Sequence, residues 1–198
     1  MTTAAEAEAA ARAAIAGHLV VLPTDTVYGL GSRPDDPAAT GRIFEAKQRP
    51  STMTLPVLVP SPQEAAAIGE LGEGGRRLAQ RFWPGPLTVV CRRSGASSGW
   101  GLGGDPDTIG IRMPAHRLTL QVLERAGPLA VTSANRSGEP TPATCEEVRA
   151  LFADAVAYYL CDEEPLAGRP STVVDLSGRE PRILREGSVA SDAVLAVL

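Results

Sequence analysis

The polar stretch Thr132-Ser133-Ala134-Asn135-Arg136-Ser137-Gly138-Glu139-Pro140-Thr141 begins where the apolar run Leu129-Ala130-Val131 stops. A short apolar run of this kind makes a buried strand, and open α/β sheets collect ligands at the carboxyl ends of their strands. The hydroxyls of Thr132, Ser133, Ser137 and Thr141 each donate one hydrogen bond and accept two, and the Asn135 amide does both. That inventory suits a phosphate, a ribose or an amino-acid headgroup. It equally suits a turn whose Ser and Asn side chains satisfy their own backbone, and this segment alone leaves both readings open.

Other groups have the same character. Thr24-Asp25-Thr26-Val27-Tyr28-Gly29-Leu30-Gly31 follows the run Leu19-Val20-Val21-Leu22-Pro23. It either delivers hydroxyls and bare backbone to one spot or makes a tight turn with Tyr28 plugging the core. Lys47-Gln48-Arg49-Pro50 ends a helical stretch. Pro50 biases Arg49 out of the helical region, so that both cations can converge on one anion; the alternative is that they complement the helix dipole. Arg112, after Ile109-Gly110-Ile111 and before Met113-Pro114, is placed to hold a carboxylate, and Gly110 suggests a close approach to the backbone. Ser171-Thr172-Val173-Val174-Asp175 and Arg182-Ile183-Leu184-Arg185 add a hydroxyl and further arginines, while Phe82-Trp83-Pro84-Gly85-Pro86 reads as rigid scaffolding.

The elements that must position these residues follow from periodicity and punctuation. Helices are predicted over 4–16 before Gly17, from the Asp36 cap and Pro37 to Ala46, from the Ser61–Glu64 capping box to Ile68, and over 75–82. Further helices run from His116 to Ala126 before Gly127, from the Thr144–Glu147 capping box to Phe152, and from a cap at Ser191. Strands are predicted over 19–22, 55–59, 87–91, 109–112, 129–131, 156–160, 172–176 and 182–184. The glycine-rich segment 94–104 offers little that packs and is predicted to be a mobile loop. Strands alternating with helices throughout favour an α/β fold on a mainly parallel or mixed sheet.

With 198 residues, one domain over 1–198 is the expectation. The chain is 43% hydrophobic and 21% charged, as in ordinary globular proteins. A net charge of -4 and a pI near 5.3 argue against bulk electrostatic binding of nucleic acid. Cys91, Cys145 and Cys161 form no CxxC, and His18 and His116 lie far apart, so neither a zinc site nor a disulfide is expected. Glu6, Glu8 and Arg12 interrupt the Ala-rich N-terminus, which does not resemble a signal peptide, and no run is long enough for a membrane span. A cytoplasmic, reduced setting is expected.

Taken in order, Pro-Thr-Asp-Thr-Val-Tyr-Gly-Leu-Gly, Lys-Gln-Arg-Pro, Phe-Trp-Pro-Gly-Pro-Leu-Thr, Ile-Gly-Ile-Arg-Met-Pro, Ser-Ala-Asn-Arg-Ser-Gly-Glu-Pro and Ser-Thr-Val-Val-Asp resemble the successive signatures of the YrdC/TsaC family over residues 5–190. Ending at Leu198, the chain resembles the short form, without an additional C-terminal domain. The resemblance implies a twisted mixed sheet flanked by helices around a large concave cleft. It also implies synthesis of threonylcarbamoyl-AMP and pyrophosphate from L-threonine, bicarbonate and ATP, with Mg2+ on the triphosphate. The product serves modification of tRNA adenosine 37 by separate transfer machinery; a weak contact with tRNA or double-stranded RNA goes with it.

Residue by residue, the resemblance assigns threonine to Thr26, Arg112, the backbone of Val131 and Ser171. Lys47 and Arg49 hold the ATP phosphates and are the catalytic pair; Thr108, Ser133, Asn135, Thr141 and Arg185 complete the nucleotide side, and no residue is assigned to a protein-held metal. Met53 and Leu58 depart from the family pattern, standing where polar residues are common. Two alternatives remain: an RNA-binding relative without adenylate synthesis, disfavoured by the acidic charge, and a fragment of a larger carbamoyl-transfer enzyme.

Overall fold

The computed structural model describes residues 4–166 and 168–198; residues 1–3 and 167, part of the domain expected over 1–198, lie outside the described residues. The described helices are α1 (Ala4–Ile15), α2 (Pro37–Lys47), α3 (Pro62–Ile68), α4 (Gly72–Phe82), α5 (Arg117–Ala126), α6 (Cys145–Phe152) and α7 (Ser191–Leu195). The strands are β1 (Val20–Leu22), β2 (Gly29–Ser32), β3 (Val57–Leu58), β4 (Gly69–Glu70), β5 (Leu87–Arg93), β6 (Thr108–Arg112), β7 (Leu129–Ser133), β8 (Tyr158–Tyr159), β9 (Thr172–Asp175) and β10 (Arg182–Arg185). They join in one mixed sheet ordered β10-β9-β5-β6-β3-β7-β2-β1-β8, with β4 paired to β5. The β1–β8, β3–β6 and β5–β9 pairs are parallel and the rest antiparallel.

Side-chain alternation along these strands sets the place of the cleft. Val89, Cys91, Ile109, Ile111 and Val174 point to one face and join the main core, which takes in Ile43 of α2, Ile68 of α3, Leu78 of α4 and Phe152 of α6. On the other face, Ala7, Ala10, Ala11 and Ala14 of α1 and Leu118, Val122 and Leu123 of α5 pack on Val20, Leu22, Leu58, Leu129 and Val131. That second layer covers only the β1–β7–β3 half. Beyond it, Thr88, Val90, Thr108, Gly110, Arg112, Val173 and Asp175 alternate with the core residues and face an open concavity.

The helix caps behave as the sequence indicates. Asp36 accepts from Ala38 N with Pro37 in the first turn, Ser61 accepts from Glu64 N, and Thr144 and Glu147 form a reciprocal capping box. Ser191 does not cap α7; it is the helix's first residue, Ala190 holds the cap position, and the Ser191 hydroxyl donates to Glu186.

Three expectations are corrected. Gly29–Ser32 is a strand, where glycines had suggested only a turn. An added Cβ at Gly29 would lie 2.5 Å from Val131 Cγ1, and one at Gly31 2.7 Å from Val131 Cγ2, so the missing side chains let β2 lie against Val131. Segment 94–104 is packed rather than loose: Leu102 is buried, Ser97 Oγ donates to Ile68 O at 2.6 Å, and Arg93 donates to Trp100 O at 2.8 Å. Cys145 and Cys161 are joined in a disulfide across a Cα separation of 5.5 Å, because the N-terminus of α6 lies beside the chain leaving β8.

Candidate active site

The concavity is a cleft of about 480 Å³, in the size range of small-molecule sites. Its first end is built on β6 and the turn after β1. Arg112, almost fully buried, donates from Nε to Gly85 O at 3.0 Å, from Nη1 to Thr26 Oγ1 at 3.0 Å and from Nη2 to Asp25 Oδ1 at 2.6 Å. Three of its five N–H groups are thereby fixed, which locks the fork in place and leaves donors for a carboxylate. Burial pulls the Arg112 pKa down and Asp25 partly offsets this. Thr24 Oγ1 stands 2.9 Å from Thr26 Oγ1 and caps the turn through Val27 N, so the Thr26 hydroxyl is held from both sides. Val131 and Leu58 supply an apolar wall.

The second end carries cations. Arg49 donates from Nη2 to Thr54 O at 3.1 Å, while its buried Nε has no hydrogen-bond partner. Arg185 donates from Nε and Nη2 to Ser171 O, at 3.0 and 2.9 Å, and Ser171 Oγ lies 3.0 Å from Thr88 Oγ1. Burial lowers the pKa of both arginines, and Arg185 lowers that of Arg49 further through charge repulsion. Among the described residues neither has a carboxylate within ion-pair distance. A half-buried Arg49 and a more exposed Arg185 that repel one another beside an open cleft are an arrangement suited to an anion.

Of the residues singled out in the sequence, Thr26, Arg49, Thr108, Arg112, Val131, Ser133, Thr141, Ser171 and Arg185 line this one cleft, as do Met53 and Leu58. Gly110 lines it as well: the nearest neighbours of an added Cβ would be Thr88, Pro56 and Val90, at 3.4 Å or more.

Lys47 and Asn135 do not line the cleft. Lys47 is 1% exposed, and its ammonium lies 2.5 Å from Ser133 O, 2.5 Å from Asn135 O and 3.1 Å from Asn135 Oδ1. The expected convergence of Lys47 and Arg49 is therefore corrected. The reason is Gln48, whose left-handed backbone (φ 51) closes α2 and sends Arg49 towards the cleft while Lys47 stays inside. Burial, with Arg49 adding repulsion, brings the Lys47 pKa down to about 8. The Asn135 amide is spent on its own turn, Oδ1 accepting from Ser133 Oγ at 2.6 Å and Nδ2 donating to Arg136 O at 2.9 Å. Asn135 is thus satisfied within its own turn, whereas Ser133 and Thr141 face the cleft.

Sequence reasoning named Asp175 and Arg182 without giving them a role and missed Ser177; the three form a linked polar edge of the cleft, Asp175 accepting from Ser177 Oγ at 2.6 Å and from Arg182 Nη2 at 2.7 Å. The alternation of Thr172-Val173-Val174-Asp175 was the available signal for Asp175. Among the described residues no three His, Cys, Asp or Glu side chains gather as a metal-binding group, and no helix is long and apolar enough to cross a membrane.

A family model, Sua5/YciO/YrdC, described as telomere recombination, matches residues 12–187. A protein of Mycobacterium tuberculosis strain H37Rv called putative threonylcarbamoyl-AMP synthase is 41% identical over 186 residues, covering 92% of this chain and 84% of the relative. The crystal structure of Pyrococcus abyssi Sua5 complexed with L-threonine superposes with a TM-score of 0.89 at 37% identity, over 99% of this chain and 58% of the Sua5 chain. Escherichia coli YciO superposes with a TM-score of 0.88 at 25% identity, over 97% of this chain and 94% of YciO. Match and fold agree with the arginine-lined cleft, and the chain belongs to the Sua5/YciO/YrdC family.

Proposed function

We propose that this chain, read as one YrdC-like domain, is a cytoplasmic L-threonylcarbamoyladenylate synthase that converts L-threonine, bicarbonate and ATP into threonylcarbamoyl-AMP and pyrophosphate. One observation carries the reading. A single cleft joins an Arg112–Thr26 end suited to an amino-acid carboxylate to an Arg49–Arg185 end suited to phosphates. The kinship with threonylcarbamoyl-AMP synthases and with a Sua5 that binds L-threonine supports it.

In this reading the threonine carboxylate lies on Arg112 and the Thr26 hydroxyl, with the Val131 backbone and Ser171 completing the pocket. The neutral amine attacks carbon dioxide, releasing a proton, or bicarbonate, expelling water, to give a carbamate, whose oxygen then attacks the α-phosphorus of ATP and displaces pyrophosphate. Arg49 and Arg185 stabilise the negative charge that accumulates as pyrophosphate leaves, and Thr108, Ser133 and Thr141 orient the nucleotide. Holding both substrates in line supplies much of the acceleration, so no protein nucleophile is required. Magnesium enters on the triphosphate as part of the substrate. The product passes to transfer machinery acting on tRNA, with at most weak RNA contact by this chain.

Pyrophosphate release, measured with all three substrates and then with each omitted, tests this. Release that requires both threonine and bicarbonate is the expected result; release indifferent to threonine refutes the synthase reading.

A further inference from the structure

The end of α2 is fastened to the Ser133–Ser137 turn at three levels. Lys47 Nζ reaches the carbonyls of Ser133 and Asn135 and the Asn135 side chain, Ser137 N donates to Lys47 O at 3.1 Å, and Arg136 Nη1 donates to Ala46 O at 2.8 Å. We propose that Lys47 is a positioning residue for the nucleotide site: its ammonium clamps the Ser133–Asn135 turn from behind and does not itself touch the phosphates.

Donor capacity is the first argument. An ammonium has three N–H groups, and the three acceptors around Lys47 Nζ take all of them. Access is the second, since Lys47 is 1% exposed and stands outside the cleft lining that Ser133 and Arg49 form. A phosphate contact would require the ammonium to leave the buried Asn135 carbonyl, since Ser133 O keeps a second donor in Asn135 N, and the cost is comparable to that of the hydrogen bond gained.

The clamp also has a consequence at the ligand-facing surface. Ser133 Oγ donates to Asn135 Oδ1 in the structure, and the same Oδ1 accepts from Lys47. When a phosphate oxygen draws the Ser133 hydroxyl hydrogen away, Lys47 keeps the Asn135 oxygen satisfied. The hydroxyl can thus turn to the nucleotide without leaving a buried acceptor bare.

This inference rests on the synthase reading for the identity of the nucleotide, and its test is a binding measurement that does not depend on turnover. ATP affinity is measured by calorimetry for the wild type, Lys47→Met, Asn135→Ala and the double variant, with threonine affinity measured alongside. If Lys47 acts through the turn, each single variant weakens ATP about tenfold and leaves threonine nearly unchanged, and the double variant is about as weak as either single one. Losses that multiply in the double variant mean that Lys47 acts independently of the turn and overturn the proposal. So does an ATP affinity unchanged in Lys47→Met, or an equal loss for ATP and threonine.

If Lys47→Met fails to fold, Ser133→Ala and Asn135→Ala are compared by following the wild-type Lys47 ammonium 15N signal as pyrophosphate is added. A shift that needs the intact turn supports the clamp; a full shift in both variants refutes it. Threonine-independent pyrophosphate release would overturn the synthase reading while leaving these affinities interpretable.

Discussion

Arg112 Nη2 lies 2.6 Å from Asp25 Oδ1, in a pair whose side chains are only 7% and 15% exposed. Asp25 Oδ1 also accepts from Ala115 N at 3.0 Å, and Asp25 does not line the cleft. Its carboxylate therefore braces the guanidinium from behind while Arg112 and Thr26 face the cleft. Removing one partner of a buried pair strands the other charge, so Asp25→Ala is expected to lose about 3 kcal/mol of stability. Urea denaturation checks this, and threonine KM is expected to rise more than ATP KM because the fork loses its orientation. Unchanged stability would show that water reaches Arg112 readily.

Arg49 offers the opposite case, a cation whose Nε, among the described residues, is buried without a hydrogen-bond partner and which has no carboxylate within ion-pair distance. In the proposed synthase reaction it stabilises the leaving pyrophosphate, so Arg49→Ala is expected to lower kcat/KM by at least about a hundredfold without loss of fold. Arg49→Lys restores charge but not the planar fork, and only part of the activity is expected to return. Steady-state pyrophosphate release combined with thermal unfolding of each variant distinguishes this from general destabilisation.

The contrast between Lys47 and Arg49 also marks what the sequence made legible. Residue types, order and the strand–turn settings of Thr26, Arg112, Ser133 and Ser171 were readable, because apolar runs that break into hydroxyls, glycines and prolines mark strand ends. Direction was not: whether Arg49 parts from Lys47 depends on the left-handed Gln48, a conformation that its residue type does not announce. β2 was hidden for a related reason, since Gly29 and Gly31 read as a turn until Val131 is seen filling the space of their absent side chains. The Cys145–Cys161 pairing depends on where α6 and the end of β8 meet in space, and a spacing of 16 residues carries no such information. The hidden parts are those fixed by tertiary contacts.

Lys47 titrates in an accessible range, and two observables should respond in opposite directions. Its pKa is lowered from 10.5 to about 8 in the folded chain, so between those values the unfolded chain binds the extra proton. Stability from this group therefore increases as pH rises through about 8 towards 10.5. Over the lower part of the same rise the clamp loses one N–H and the turn behind the cleft loses a positive charge, so ATP affinity is expected to fall by up to about tenfold. Calorimetric titrations from pH 7 to 9, repeated on Lys47→Met, check both, and the fall in affinity should be absent from the variant.

The Cys145–Cys161 disulfide gives a separate handle on stability, because neither sulfur belongs to the cleft lining. It links the first residue of α6 to the segment leaving β8, with a sequence separation of 16 residues. Closing a loop of that size restricts the unfolded chain and is worth about 3 kcal/mol. Reduction, or Cys145→Ser, is therefore expected to lower Tm by several degrees, and the reductant should have no further effect on the variant. Intact mass with and without alkylation reports the pairing, while Cys91, buried with its thiol pKa pushed up to about 12, should resist alkylation in the folded protein. ATP affinity provides the local readout: Thr141 lines the cleft four residues before Cys145, and Leu166 N donates to Ala143 O at 2.7 Å, so this backbone bond still ties the two segments after reduction. A Tm loss with ATP affinity kept within about twofold is the expected pattern, since a loop-closure effect acts mainly on the unfolded chain. A large loss of ATP affinity on reduction would instead show that the disulfide holds the Thr141 segment in place.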